Sequence, residues 1–392
     1  MKSASSPAVP LVRPGSRVED CRALGRTVIG IAIGLTAFGL VMIYSWTAIK
    51  LTDRRTSFDP DAMLSKQVIW AFIAGAAAFL ASRVPLPWLR RHAHLFLGAL
   101  LLLLLITLIP GIGKSKNNSR RWLELGPFTM QASEFLKIAV ILYMADRLAR
   151  REEDPLAQRT PWPALLAPVG IGIVLILLEP DLGTSLFVSA LAVVMLGLAG
   201  IRPGRLLPLA LVALPLLVAV AASKFRHVNE RLSFFTEGVR PGEQQWQGLV
   251  ALGSGGVLGA GLGAGTQKLG RVAEMQNDFI FTLIGEELGF VGCCAVILAF
   301  MAFVVYGKRI ADRAHAAGKL FSFYVAAGST FAVGFQALIN VAVATGSAPN
   351  KGVSLPFISL GGSSLLTAFV AAGLLVNVSR AVAAEEGGDP WR

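Results

Sequence analysis

About ten stretches of roughly 20 mostly apolar residues follow one another between residues 27 and 380. Each is about as long as a helix must be to cross ~30 Å of hydrocarbon. They are centred on 27–48, 67–82, 93–112, 135–149, 163–178, 182–200, 205–222, 279–307, 320–344 and 357–379. The pattern predicts an all-α polytopic membrane protein of about ten transmembrane helices, with a long extracytoplasmic loop, 223–277, between the seventh and eighth. With 54% of the 392 residues hydrophobic and 15% charged, little chain is left for a soluble domain. The expected divisions are a disordered cytoplasmic tail at 1–25, a membrane domain at 26–381 and a cytoplasmic tail at 382–392.

Charge gives the orientation. If the N-terminus is cytoplasmic, the inside segments hold twenty Lys and Arg and the short outside loops nine, as the positive-inside tendency requires. Both termini are therefore expected on the cytoplasmic side. The net charge of +12 is spread in short clusters between apolar runs, a pattern that suits anionic membrane lipid better than nucleic acid. Cys21 and the adjacent Cys293 and Cys294 offer neither a disulfide framework nor a zinc spacing.

Polar residues that persist on the outer side are the candidates for chemistry. Lys114, Lys116, Arg120 and Arg121 put four cations within eight residues, which suits a phosphate or pyrophosphate group. A plain lipid-headgroup contact would explain them equally well. Glu134 and Lys137 open the fourth span at i, i+3 spacing, as a functional pair or as a neutralised structural one. Asp181, beside Glu179 in EPDLGT, either joins a site or caps the sixth span. Gln247 and Lys268 in the long segment are added to the substrate-binding set, and Ser363 in GGSS to the supporting polar residues.

The sharpest candidate is Asp278, in EMQNDFIFTLIGEELGF, where a polar stretch meets the eighth span. At 100° per residue, Thr282, Gly285 and Gly289 lie near its face and Glu287 lies opposite. The alternative is that Asp278 caps the helix. Glu286 and Glu287, deeper in the same span, need partners, for which Lys137 or a first-loop arginine would serve. The glycine-rich run GSGGVLGAGLGAG at 253–265 follows no βαβ unit, so close helix packing or a re-entrant segment explains it better than a dinucleotide site.

Together these blocks resemble the SEDS family (shape, elongation, division and sporulation; the FtsW/RodA proteins). They are NNSRRWLELGPFTMQASEFLK at 117–137, EPDLGT at 179–184, ALGSGGVLGAGLGAGTQK at 251–268 and EMQNDFIFTLIGEELGF at 274–290. The rest are QALIN at 336–340, PNKGVSLPFISLGGSS at 349–364 and NVSR at 377–380. The chain departs from the family pattern at a few positions, among them Glu179 for a usual Gln and Ala132 for a usual Pro. The wording PNKGVSLPF is closer to the division branch than to the elongation branch.

The resemblance implies an inverting glycosyltransferase that polymerises lipid II, the undecaprenyl-pyrophosphate-linked disaccharide peptide, on the outer face of the membrane. The family's essential acidic residue falls on Asp278, as general base. The cation cluster, or a divalent cation, would stabilise the departing pyrophosphate; no cofactor is otherwise expected. A class B penicillin-binding protein transpeptidase and other division proteins are the implied partners. The competing expectations are an elongation-type polymerase, a lipid II flippase using Glu134, Lys137, Glu286 and Glu287 as a path, and a scaffold without chemistry.

Overall fold

The structure, a computed structural model, describes residues 14–50, 60–109, 113–116, 119–126, 128–201, 238–239, 244–265, 277–350 and 352–386. Among these are ten α-helices: α1 (Pro14–Lys50), α2 (Pro60–Arg83), α3 (Leu86–Thr107), α4 (Ala132–Glu153), α5 (Trp162–Leu178), α6 (Leu182–Leu198), α7 (Gln244–Ser254), α8 (Ile280–Ala316), α9 (Leu320–Ala344) and α10 (Gly362–Glu386). Six are long and apolar enough to cross a membrane: α1, α2, α3, α8, α9 and α10. Helices α5 and α6 are shorter apolar helices. The expected seventh span, 205–222, and most of the loop 223–277, Lys268 included, lie outside the described residues.

The spans expected from hydropathy that fall on described residues match these helices, with several of their ends shifted. Helix α1 already begins at Pro14, inside the segment 1–25 read as a tail, and Cys21 within it is fully buried. Residues 357–361, read as the start of the last span, form a turn instead, and α10 begins at Gly362.

Helix α10 is the axis of the bundle. Of its apolar window 72% is buried, against 17% for α2, and it packs on α1, α2, α4, α8 and α9. Lipid offers helices no hydrophobic reason to associate, so close approach must supply the attraction. A Cβ on Gly373 of α10 would lie 2.4 Å from the Ala78 carbonyl oxygen of α2. Only a residue without one lets the two helices meet there.

Two features have no counterpart in a purely helical reading. Between α3 and α4 the chain forms a three-stranded antiparallel sheet, β1 (Lys114–Lys116), β2 (Ser119–Leu125) and β3 (Phe128–Gln131), in the order β1-β2-β3. It turns at Gly126, whose φ is +63°, and leads directly into α4.

The second feature is a break in α8 at Gly289, with φ 67° and ψ −163°, a conformation almost confined to glycine. The break exposes backbone groups, and the glycine-rich segment after α7 satisfies them. Ala260 and Gly261 donate to the Glu286 and Glu287 carbonyls at 2.9 and 3.0 Å, and Phe290 and Val291 donate to Gly256 and Val257 at 2.9 and 3.2 Å. Irregular backbone inside a membrane protein is tolerated when it is paired in this way. The run 253–265 is therefore packed closely on α8.

Candidate functional site

Asp278 sits immediately before α8. The N-cap of that helix is Phe279, with no side-chain capping bond, so the Asp278 carboxylate is not the helix cap. Its backbone is fixed from the neighbouring segment. Asn340 of α9 donates to the carbonyls of Asp278 and Val353, at 2.9 and 2.7 Å. Ser359 donates to the Asn277 carbonyl at 2.6 Å and accepts from the Leu355 N–H at 2.8 Å. Gln67 of α2 in turn holds Ser359, donating to its carbonyl at 3.2 Å. The half-buried carboxylate borders Gly352, where a Cβ would stand 2.9 Å from Oδ2. The family block around PNKGVSLPFISL thus acts as a cradle for Asp278.

From the cradle a polar chain runs into the start of α4. Ser354 donates to Ser364 at 2.6 Å, and Gln336 donates to Ser364 and to the Ser354 carbonyl, both at 3.0 Å. The Gln336 carbonyl oxygen accepts from Lys137 at 2.8 Å. Lys137 pairs with Glu134 at 2.8 Å and lies over the Phe187 ring, 4.8 Å from its centroid. The buried ammonium is thus matched by one carboxylate, one amide and an aromatic face. That arrangement fits the cost of charge in a low-dielectric interior.

A second branch joins the sheet to α6. Asp181 caps α6, accepting from the Thr184 N–H at 3.1 Å, as the capping alternative anticipated. It also pairs with Arg121 at 3.3 Å and accepts from Gln131 at 3.0 Å. The Gln131 N–H donates to Ser363 at 3.0 Å, which closes the circuit back to α10. Asp181 therefore serves as both cap and tether.

Beside it, Glu179 is fully buried. It contacts the Thr107 hydroxyl at the end of α3, and its other oxygen has no hydrogen-bond partner. Burial pushes the Glu179 carboxyl up to about 7, a shift partly opposed by the Thr107 hydrogen bond.

The remaining candidates fall in different places. Backbone pairing sets Lys114 opposite Trp122, Ser115 opposite Arg120 and Lys116 opposite Ser119, so the cation cluster lies on the sheet that opens α4. Glu286 and Glu287 are buried, and Ser45 of α1 donates to both Glu287 oxygens, at 2.8 and 2.7 Å. Lys137 is committed to Glu134, so it is not the partner that the sequence suggested for these two. Gln247 is half-buried on α7. Among the described residues no group of three or more His, Cys, Asp or Glu side chains is placed to hold a metal ion, so no residue is assigned to a divalent cation.

Asn340, Gln336, Ser359 and Gln131 lie inside the quoted family blocks without being singled out there, and Thr107 lies outside them. Gln336 and Asn340 do carry a signal, two amides one turn apart in an otherwise apolar span. The bonds described above bring the N-terminal ends of α4, α6, α8 and α10 to one end of the bundle. Each such end carries about half a positive charge from its N–H groups; the Asp181 cap meets that of α6, and the ends of α4, α8 and α10 favour an anion.

A multi-span membrane protein whose buried polar circuit organises one anion-favouring face is thus the class that fold and site define. The family model described as Cell cycle protein (FtsW/RodA/SpoVE) matches residues 26–384. The chain belongs to this FtsW/RodA (SEDS) family. It is 36% identical over 352 residues to the "Probable peptidoglycan glycosyltransferase FtsW" of Geobacter metallireducens, covering 89% of this chain and 92% of that one. To the protein of the same name from Halorhodospira halophila it is 35% identical, covering 94% of both chains.

Among solved structures it resembles a chain from work described as "Structural coordination of polymerization and crosslinking by a peptidoglycan synthase complex" (TM-score 0.69, 28% identity, 91% of this chain and 97% of that one). It also resembles the rod shape determining protein RodA of Thermus thermophilus (TM-score 0.66, 26% identity, 90% of this chain and 95% of that one).

Proposed function

We propose that this chain is a peptidoglycan glycosyltransferase that polymerises lipid II at the outer face of the cytoplasmic membrane during cell division. The observation that carries the assignment of Asp278 as base is its cradle. Asn340 and Ser359 bind the main-chain carbonyls of residues 278 and 277, which fixes the position of the carboxylate without using it as the helix cap. The division role is supported by the relatives named FtsW at 36% and 35% identity.

The chemistry follows from the parts. The Asp278 carboxylate takes the proton of the acceptor sugar hydroxyl as its oxygen attacks the anomeric carbon of the donor. The bond from that carbon to the pyrophosphate breaks, and the electron pair leaves with the lipid pyrophosphate. Attack opposite the leaving group inverts the anomeric centre. A pyrophosphate is already a weak base, so it needs a cationic field more than the second carboxyl of a glycosidase. Lys114, Lys116, Arg120 and Arg121 on the sheet, with the ends of α4, α8 and α10, supply that field. Gln247 and Lys268 are the further substrate contacts proposed from the long segment.

The twenty-to-nine asymmetry of basic residues supports both termini inside, and hence the polar end outside where the polymer is built. The partner is a class B penicillin-binding protein transpeptidase, a proposal supported by the likeness to a chain of a peptidoglycan synthase complex. The flippase alternative has less support, because Glu134 and Lys137 are locked to each other and to Gln336.

The test is polymerisation of purified lipid II by the purified protein with its transpeptidase partner. Long glycan is expected, and none from a complex shown to be assembled would return the reading to transport or scaffolding. Replacing Arg120 and Arg121 together by Ala should raise the lipid II concentration needed for half-maximal rate by roughly tenfold, the loss expected for one or two charge-assisted contacts. An unchanged value would remove them from the pyrophosphate site.

A further inference from the structure

The NVSR block at 377–380 takes no part in the polar end. It staples the opposite end of the bundle. Asn377 donates to the Ala81 and Val84 carbonyls at the end of α2, at 2.7 and 2.6 Å. Ser379 donates to the Cys21 carbonyl of α1 at 2.6 Å, and Arg380 to the Ser82 carbonyl at 3.3 Å. These bonds fix Arg22, Arg83 and Arg380, all exposed, around one point where three apolar spans end. Arg22 and Arg83 both repel the Arg380 guanidinium. Among the described residues no carboxylate is paired with any of the three. Three like charges held together at the surface attract an anion.

The surface leading away from this point is apolar. Phe72, Phe79 and Arg83 fall within about 40° of one another on α2 at 100° per residue. Phe72 is 77% exposed and Phe79 58%, with Leu80 beside them at 63%. The Arg83 guanidinium stands over the Phe79 ring, 4.8 Å from its centroid. A cationic foot under an exposed apolar stripe matches a molecule with an anionic head and hydrocarbon tails. A soluble phosphate would have no use for the stripe.

We propose that Arg22, Arg83 and Arg380 form a binding site for the phosphate headgroup of an anionic phospholipid, whose acyl chains lie along Phe72, Phe79 and Leu80 of α2. In the orientation proposed above, that lipid belongs to the inner leaflet. The site is independent of Asp278 and of the reaction. It clamps the ends of α1, α2 and α10 to one lipid molecule.

Native mass spectrometry of the full chain in detergent, titrated with phosphatidylglycerol or with phosphatidylcholine of the same acyl chains, tests this. The wild type should bind phosphatidylglycerol in clear preference. Arg22→Gln with Arg83→Gln should weaken that binding roughly tenfold or more, at about 1 kcal/mol per arginine, and Arg309→Gln on α8 should leave it unchanged. Equal binding of the two lipids, or an equal loss in the Arg309 variant, would overturn the site. Inorganic phosphate at matched ionic strength forms the second arm. Phosphate binding that needs both arginines, without any preference between the lipids, would make the occupant a soluble anion and reject the lipid. If the double variant does not fold, each single substitution should still reduce the preference. Unaltered preference in both single variants would also reject it.

Discussion

Glu179 stands where the family pattern usually has glutamine, and its surroundings treat it as a neutral group. Thr107 has one hydroxyl hydrogen, already directed at the Leu104 carbonyl 2.6 Å away, yet its oxygen also meets a Glu179 oxygen. That one hydrogen serves one acceptor at a time, and the other Glu179 oxygen has no hydrogen-bond partner, so the charged carboxylate is poorly satisfied. Burial raises this carboxyl from 4.5 to about 7, so the native state holds the proton more tightly than the unfolded chain does. The associated stability is complete below about pH 4.5 and is lost as the pH rises toward 7, on the order of 3 kcal/mol in all.

Glu179→Gln should therefore flatten the fall in thermal midpoint between about pH 5 and about pH 7; parallel curves for variant and wild type would contradict the buried acid. Asn340 offers a second test at this scale. Asn340→Leu removes two bonds to main-chain carbonyls, at about 1 kcal/mol each. It should lower stability by about 2 kcal/mol and cut turnover further than that, because Asp278 loses its support. Turnover equal to wild type in the folded variant would detach Asn340 from the site.

Hydropathy found the elements more readily than it found their partners. The apolar runs of α1, α2, α3, α8, α9 and α10 announce themselves because each must fill the membrane alone. The sheet at 114–131 does not, since its strands of three, seven and four residues are too short and too charged to show an alternating pattern. The glycine run at 253–265 was legible as close packing, but its partner was not, because a backbone ladder to residues 286–291 depends on a break in a distant helix. The same non-locality hid Ser45 as a partner of Glu287. Gly289→Ala tests the ladder directly. The Cβ would stand 2.3 Å from the Gly259 nitrogen, and the φ, ψ pair alone costs about 1–3 kcal/mol. The variant should yield little folded protein by size exclusion; wild-type yield and thermal midpoint would show that the break is not required.

At the scale of the molecule, one bundle has two polar ends built in different ways. One end gathers four helix N-termini, the basic sheet and the Asp278 cradle, and the other gathers the arginines stapled by NVSR. The positions of Asp278, Glu134, Lys137 and Asp181 as candidates were legible in the sequence as ionisable residues at span boundaries. Their connection through Gln131, Gln336, Ser354, Ser359, Ser363 and Ser364 was not, because hydrogen bonds between separate helices leave no periodic trace. In this account the circuit exists to hold one carboxylate beside an anion-favouring surface, and the whole polymerase reading converges on that carboxylate. The decisive measurement compares glycan formed from lipid II by the wild-type protein and by Asp278→Asn, each purified with the transpeptidase partner and shown to be folded. Long glycan from the wild type and none from the variant is the predicted result; wild-type-like glycan from Asp278→Asn would contradict the account at its centre.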